Sequence, residues 1–232
     1  VYVESGAKLD ATATTFKDNT ATYSGGAIYT EGGEIKLTDS LIDNNDVTDV
    51  STNNNTGGAA IWAKNAQVTL INTNVTNNGR RTLDRTNDDL LNAVVTLLNS
   101  NATITNGLFE NNTGIYGGAI YVNGANTDIE YINFITNVAV RGGAICINGT
   151  NSTVEHNYFY DNNATHDLSF TMTDALKSLT TRGGAIAIKG DDATIVDNNF
   201  TYNAAIAINP DPERTSIVCQ ALGAVYAGEK GN

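Results

Sequence analysis

Basic residues are scarce in this chain, with 13 lysines and arginines set against 25 acidic residues, a formal net charge of −12. Binding to phosphate backbones or to anionic membrane surfaces needs clustered Lys and Arg, so both classes of partner are excluded. No run of 18 apolar residues occurs, which rules out a membrane-crossing helix in this segment. Only two prolines and 16% charged residues are present. Asparagine and threonine together supply 63 positions and glycine another 22, a composition far from that of a helical bundle. The two cysteines, Cys146 and Cys219, permit at most one disulfide, formed if the last insertion folds back over two coils. No EF-hand or nonapeptide calcium pattern is found, so Asp191-Asp192 and Asp211 with Glu213 read as solvated turns and no metal or other cofactor is implied.

What the chain has in abundance is repetition. Residues 117–122 read GGAIYV, 142–147 GGAICI and 183–188 GGAIAI. Sixteen residues after the second position of each pair comes an apolar residue, as from Gly118 to Phe134, Gly143 to Phe159 and Gly184 to Phe200. Three residues further on stands an asparagine every time: Asn19, Asn45, Asn78, Asn112, Asn137, Asn162 and Asn203. Apolar columns recur at period two, the strand signature. They run through Ile28, Ile61, Val95, Ile120, Ile145, Ile186 and Val225, and through Ala11, Leu37, Leu70, Ile104, Ile129, Val154 and Ile195.

Each repeat is then two or three short strands, about 25 residues without insertions, and one repeat has no way to bury its own apolar side. Stacked at the ~4.8 Å spacing of paired strands, the repeats bury a continuous interior. The expectation is an all-β, single-domain parallel β-helix of seven to eight coils over residues 1–232. The glycine pair suits a corner that needs φ > 0 or close backbone approach. A fixed-corner asparagine can pass its amide hydrogen bonds from coil to coil. Because Val1 and Glu229–Asn232 leave open coil edges, the natural protein is expected to continue, with further domains, in at least one direction.

GGAIY combined with F-x-x-N, as in Phe16 to Asn19 and Gly25 to Tyr29, resembles the repeats of chlamydial polymorphic outer membrane proteins. It resembles equally the adhesin-like β-helix proteins of methanogenic archaea, whose Asn/Thr-rich acidic composition this chain shares. The resemblance covers essentially the whole chain and departs at Asn92-Ala93 and Leu222-Gly223, where glycine pairs belong. It implies an extracellular, cell-surface protein concerned with attachment, with no catalytic or cofactor residues. The right hand of the helix follows from the resemblance and from the known bias of such folds.

Insertions interrupt the repeat at about residues 46–57, 79–91, 163–182 and 204–221, always between the asparagine and the next glycine pair, so all leave one corner. Solenoid insertions cluster on the binding face. This flank is therefore the expected recognition surface, for a glycan or protein on a host or neighbouring cell. Leu168, Met172, Leu176 and Leu179 recur at helical spacing, and Thr86 to Leu91 suit another short helix. Such faces either dock on the scaffold or meet a partner. Next to the insertions, the column Tyr29, Trp62, Thr96, Tyr121, Cys146, Ala187, Tyr226 is expected to point outward, giving Tyr29, Trp62, Tyr121 and Tyr226 as candidate ligand contacts. Arg141 and Arg182, each just before a glycine pair, join them. The neighbouring column, Ala27, Ala60, Val94, Ala119, Ala144, Ala185, Ala224, is also expected to face outward beneath some cover.

An enzyme reading rests on Asp128, Glu130 and Glu155. As i, i+2 on one strand and a stacked neighbour, they lie at separations of roughly 7 and 5 Å, which overlap those of glycosidase carboxylate pairs. The same columns hold Asp10, Lys36, Thr69, Thr103, Thr153 and Thr194, an ordinary solvated face. No Lys or Arg stands where a lyase base belongs, so catalysis is not the expected activity. A third reading is a structural spacer. Eight N-glycosylation sequons permit modification without indicating it, since an Asn-rich chain produces nearly that many by chance.

Overall fold

The computed structural model describes residues 1–48, 57–79, 93–165, 181–206 and 224–227, which form a parallel β-helix. Eight strands stack on the first face: Tyr2–Val3, Ile28–Glu31, Ile61–Lys64, Val95–Leu98, Ile120–Asn123, Ile145–Ile147, Ile186–Ile188 and Val225–Ala227. All neighbours are parallel. The second face begins with Lys8–Thr12, Glu34–Thr38 and Gln67–Ile71, and the third with Thr15–Lys17, Leu41–Asp43 and Asn74–Thr76. In the middle of the stack, Asn101–Glu110 and Ala125–Ile135 run unbroken across both faces.

Register explains the regularity seen in the sequence. Phe16, Ile42, Val75, Phe109, Phe134, Phe159 and Phe200 are successive partners on the third face, at intervals of 26, 33, 34, 25, 25 and 41 residues. Variable insertion length leaves the pairing untouched. Inside, Phe109, Phe134 and Phe159 are fully buried. The Phe134 and Phe159 rings stack with centroids 4.8 Å apart, as do Phe159 and Phe200. Burying each such side chain contributes about 1.5–3 kcal/mol, and the stacked geometry adds to it.

The two corners that flank the third face are made by residues in the left-handed region. Between the second and third faces these are Ala13, Asp39, Asn72, Asn106, Tyr131, His156 and Asp197, with φ from 48° to 55°. After the third face they are Asp18, Asn44, Asn77, Asn111, Thr136, Asp161 and Tyr202, with φ from 52° to 59°. Asn and Asp tolerate this conformation best, which is why they crowd both positions. The first pair position turns another corner: Gly25, Gly58 (followed by Ala59 where the other coils have the second glycine), Gly117, Gly142 and Gly183 have φ between 63° and 75°. The second glycine is required for a different reason, close approach: a Cβ on Gly143 would lie 2.0 Å from the Gly184 carbonyl oxygen.

The asparagine after each left-handed residue points inward. Asn19 Nδ2 donates to Asn45 Oδ1 (2.8 Å), and Asn45, Asn78, Asn112, Asn137 and Asn162 each donate in the same way to the next, ending on Asn203. Each receiving oxygen also accepts the donor residue's own backbone N–H, as when Asn112 N meets Asn137 Oδ1 at 3.2 Å. The second amide proton goes back to a carbonyl one coil earlier: Asn137 to Phe109, Asn162 to Phe134, Asn203 to Phe159. One side chain thereby ties three coils together. A shorter ladder was not apparent from the sequence: Asn157 Nδ2 donates to Asn198 Oδ1 at the other left-handed corner.

The alanine column is a correction. Ala27, Ala60, Val94, Ala119, Ala144 and Ala185 belong to the core instead of the outer surface. They sit in the bend after the glycine pair, before strand alternation begins. Ala27 N and Ile28 N both donate to the Ala60 carbonyl, so two successive residues turn inward and only small ones fit. The insertions are also slightly shorter than their repeat spacing suggested. Asp46–Val47, Asn163–Thr165 and Ala204–Ile206 are coil strands, paired with Thr20–Ala21, Val138–Ala139 and one another. The helical readings of 168–179 and 86–91, and Cys219, lie outside the described residues.

Candidate binding flank

Along the outer side of the first face, Tyr2, Tyr29, Trp62, Thr96, Tyr121, Cys146, Ala187 and Tyr226 are register partners. Their exposure is far from uniform. Tyr2 is 65% exposed and Tyr29 half-buried, whereas Trp62 is only 1% exposed and Thr96, Cys146 and Ala187 are buried. The Trp62 ring stacks on Tyr29 with centroids 4.6 Å apart and planes 4° from parallel, and Tyr29 in turn meets Tyr2 at 5.6 Å. Trp62 therefore offers no open ring face to a ligand. Tyr2 was missed in the sequence because the column was begun one coil too late, although the 27-residue step from Tyr29 was there to be counted.

Toward the other end, the residue before each glycine pair forms its own column, with Tyr116, Arg141 and Arg182 as bridge partners. The Arg141 guanidinium lies 5.6 Å from the Tyr116 ring centroid, and Arg182 lies 4.8 Å from that of Tyr226. Such contacts hold the cations against the scaffold. Tyr116 also approaches Tyr121 at 6.1 Å. Tyr121 accepts a long hydrogen bond from Asn148 Nδ2 (3.5 Å). Burial pushes the Tyr121 hydroxyl up to about 12, and it raises Tyr116 as well, against the opposing pull of Arg141. The structure brings Tyr121, Arg141 and Cys146 into one neighbourhood and joins Arg182 to Tyr226. Tyr116 had been overlooked because a single tyrosine before a glycine pair repeats in no other coil.

Cys146 is a free, buried thiol that burial pushes up to about 12. A thiol so far above neutral pH stays protonated and unreactive.

The carboxylates stand on the second face. Glu130 and Glu155 are direct register partners, and Asp128 pairs with Thr153. Asp128 is exposed and both glutamates are half-buried. A different carboxylate is better held: Asp43 accepts from Lys17 Nζ (2.9 Å), Thr76 Oγ1 (2.8 Å) and Asn77 Nδ2 (2.8 Å). Partial burial works against its charge. The three donors, drawn from the coils on either side, outweigh that effect and hold it below the usual carboxylate range.

Residues 13–31, which include the Phe16-to-Asn19 corner and the first GGAIY, match the family model for the Chlamydia polymorphic membrane protein repeat. The chain carries a repeat of this kind. No curated protein and no solved structure matches it. Among the described residues no helix is long and apolar enough to cross a membrane.

Proposed function

We propose that this chain is a β-helical segment of a cell-surface, adhesin-like protein and binds a glycan or protein of a host or neighbouring cell on its insertion-bearing flank. The observation that carries the reading is the polymorphic membrane protein repeat at residues 13–31, a repeat of proteins associated with the bacterial surface. The flank is favoured because coil-to-coil pairing keeps its register across every interruption, and solenoid insertions cluster on the binding face. Tyr2 and Tyr29 at one end, and the Tyr116–Arg141 and Arg182–Tyr226 pairs at the other, border it.

The repeat supplies its own clean variant. Val140 is followed directly by Arg141, and in the next coil Thr165 and Arg182 occupy those places; deleting residues 166–181 restores a 25-residue coil. The intact chain and this deletion would be screened on a glycan array and by adhesion to immobilised cells, with reducing-sugar release followed in the same wells. Binding that falls at least tenfold in the deletion, without sugar release, is the expected result. Equal binding by both proteins would move recognition off this insertion, and sugar release abolished in Glu130→Gln would replace binding by catalysis.

A further inference from the structure

A second surface spans the third face and its two corners in the C-terminal coils. Tyr131, 53% exposed, stacks on His156 with ring centroids 5.0 Å apart and planes 14° from parallel. Two residues beyond His156, Tyr158 and Tyr160 project from the third face with centroids 6.0 Å apart, and Tyr160 meets Tyr202 edge-on at 5.7 Å. Tyr202 is 76% exposed. These five rings occupy three adjacent coils.

Strand propensity accounts for Tyr158 and Tyr160 but not for the others. Tyr131 and Tyr202 have φ of 55° and 57°, a left-handed conformation that bulky residues adopt only at a cost, whereas His156 (φ 55°) is of a type that adopts it more readily. Their counterparts at these corners include Asp39, Asn72, Asn106, Asn44, Asn77 and Asn111. No burial repays the cost for Tyr131 and Tyr202, which are largely in solvent. Strain kept without structural return points to a binding role.

Charge decides what binds. The stretches 125–140, 150–165 and 193–206 contain Asp128, Glu130, Glu155, Asp161 and Asp197 and no lysine or arginine. The N-terminal coils differ: there Lys8 meets Glu34, Lys17 meets Asp43 and Lys64 meets Glu31, each at 2.9 Å. In the C-terminal coils Glu130 and Glu155 face each other in register, a like-charge pairing that is unfavourable by itself. Exposed ring faces attract cations, and flanking carboxylates strengthen that attraction. We infer that the Tyr131–His156 and Tyr158–Tyr160–Tyr202 surface docks a basic, extended polypeptide segment, taking its lysine or arginine side chains onto the rings.

The test separates ring recognition from the general pull of an acidic protein. A combined variant, Tyr131→Asn, Tyr158→Asn, Tyr160→Thr and Tyr202→Asn, leaves net charge unchanged. It uses residues already found at the matching positions: Asn106, Asn133, Thr201 and Asn111. A fluorescein-labelled peptide of alternating lysine and glycine, its glutamate counterpart and a neutral gluco-oligosaccharide would be titrated against the intact 232-residue chain, this variant and Tyr23→Thr, whose tyrosine is 52% exposed. Expected are lysine-peptide affinity roughly tenfold weaker in the combined variant, unchanged in Tyr23→Thr, and no binding of the glutamate peptide. Equal lysine-peptide affinity in all three proteins would reduce the effect to bulk charge and overturn the inference. So would absence of lysine-peptide binding, or oligosaccharide binding lost in the combined variant, which would make the surface a sugar platform.

Discussion

Tyr121 and Cys146 are register partners on the outer column, and both are pushed to about 12, chiefly by burial. Unfolded, they titrate near 10 and 8.5. A raised folded-state value means that the neutral form is favoured in the fold. The contribution is therefore complete below about pH 8.5 and is lost as pH climbs toward 12. The urea midpoint should fall progressively from pH 9 to pH 11, and a Tyr121→Phe, Cys146→Ala double variant should show a shallower decline. Parallel declines in the two proteins would assign the alkaline sensitivity elsewhere. At this scale the sequence was most legible where backbone geometry leaves few options, as at the glycine pairs. It was least legible at Trp62, where alternation gives the side of the strand and says nothing of what lies above it. At Tyr131 and Tyr202, propensity points away from the conformation the coil imposes.

At the scale of the element, the inner asparagine ladder is a chain of donors and acceptors with no spare member. Removing Asn137 leaves Asn112 without the acceptor for both its Nδ2 and its backbone N–H. It also takes the side-chain donor from Asn162 Oδ1 and from the Phe109 carbonyl, while the backbone N–H of residue 137 stays. Each buried group so abandoned costs roughly 1–3 kcal/mol, and the ladder is buried throughout these coils. Asn137→Ala should therefore lower stability by about 3 kcal/mol or more, measured by urea denaturation. Asn133→Ala is the comparison, since Asn133 is exposed on a strand of the third face and its φ is negative, and it should cost less than about 0.5 kcal/mol. A loss of under 1 kcal/mol for Asn137→Ala would mean that water replaces the ladder. The ladder asparagines could be picked out because a fixed interval from an aromatic column marked them. The Asn157–Asn198 pair could not, because its column reads Thr14, Ser40, Thr73, Gly107, Ile132 in the other coils and shows no common residue type. The inward alanines were misassigned by extending strand alternation one residue too far into a bend.

For the molecule as a whole, every strand pairing joins residues at least 25 positions apart. Helices could supply early local contacts, but none occurs among the described residues. Loop closure must precede any gain from pairing, which makes such topologies slow to fold. Refolding from urea, followed by tryptophan fluorescence of Trp62, is expected to take seconds or longer at 25 °C, and a millisecond phase recovering the full signal would contradict it. The overall architecture was the most legible level of all: periodic apolar columns at an interval near 25 residues admit few folds other than a stack of coils. The binding surfaces were less so, because they depend on how side chains from separate coils meet.

The intervals of 26, 33, 34, 25, 25 and 41 residues between equivalent third-face positions carry a practical meaning. The cost of closing a loop grows only with the logarithm of its length, and the register on both sides of each interruption is the same. The corner just before the glycine pairs is consequently a set of sockets on a rigid rack, held about 4.8 Å apart by the strand spacing. Foreign loops grafted between Thr165 and Arg182, or between Val140 and Arg141, would be presented side by side at fixed pitch. A display library built on this chain would vary one edge while leaving the hydrogen-bonded interior unaltered.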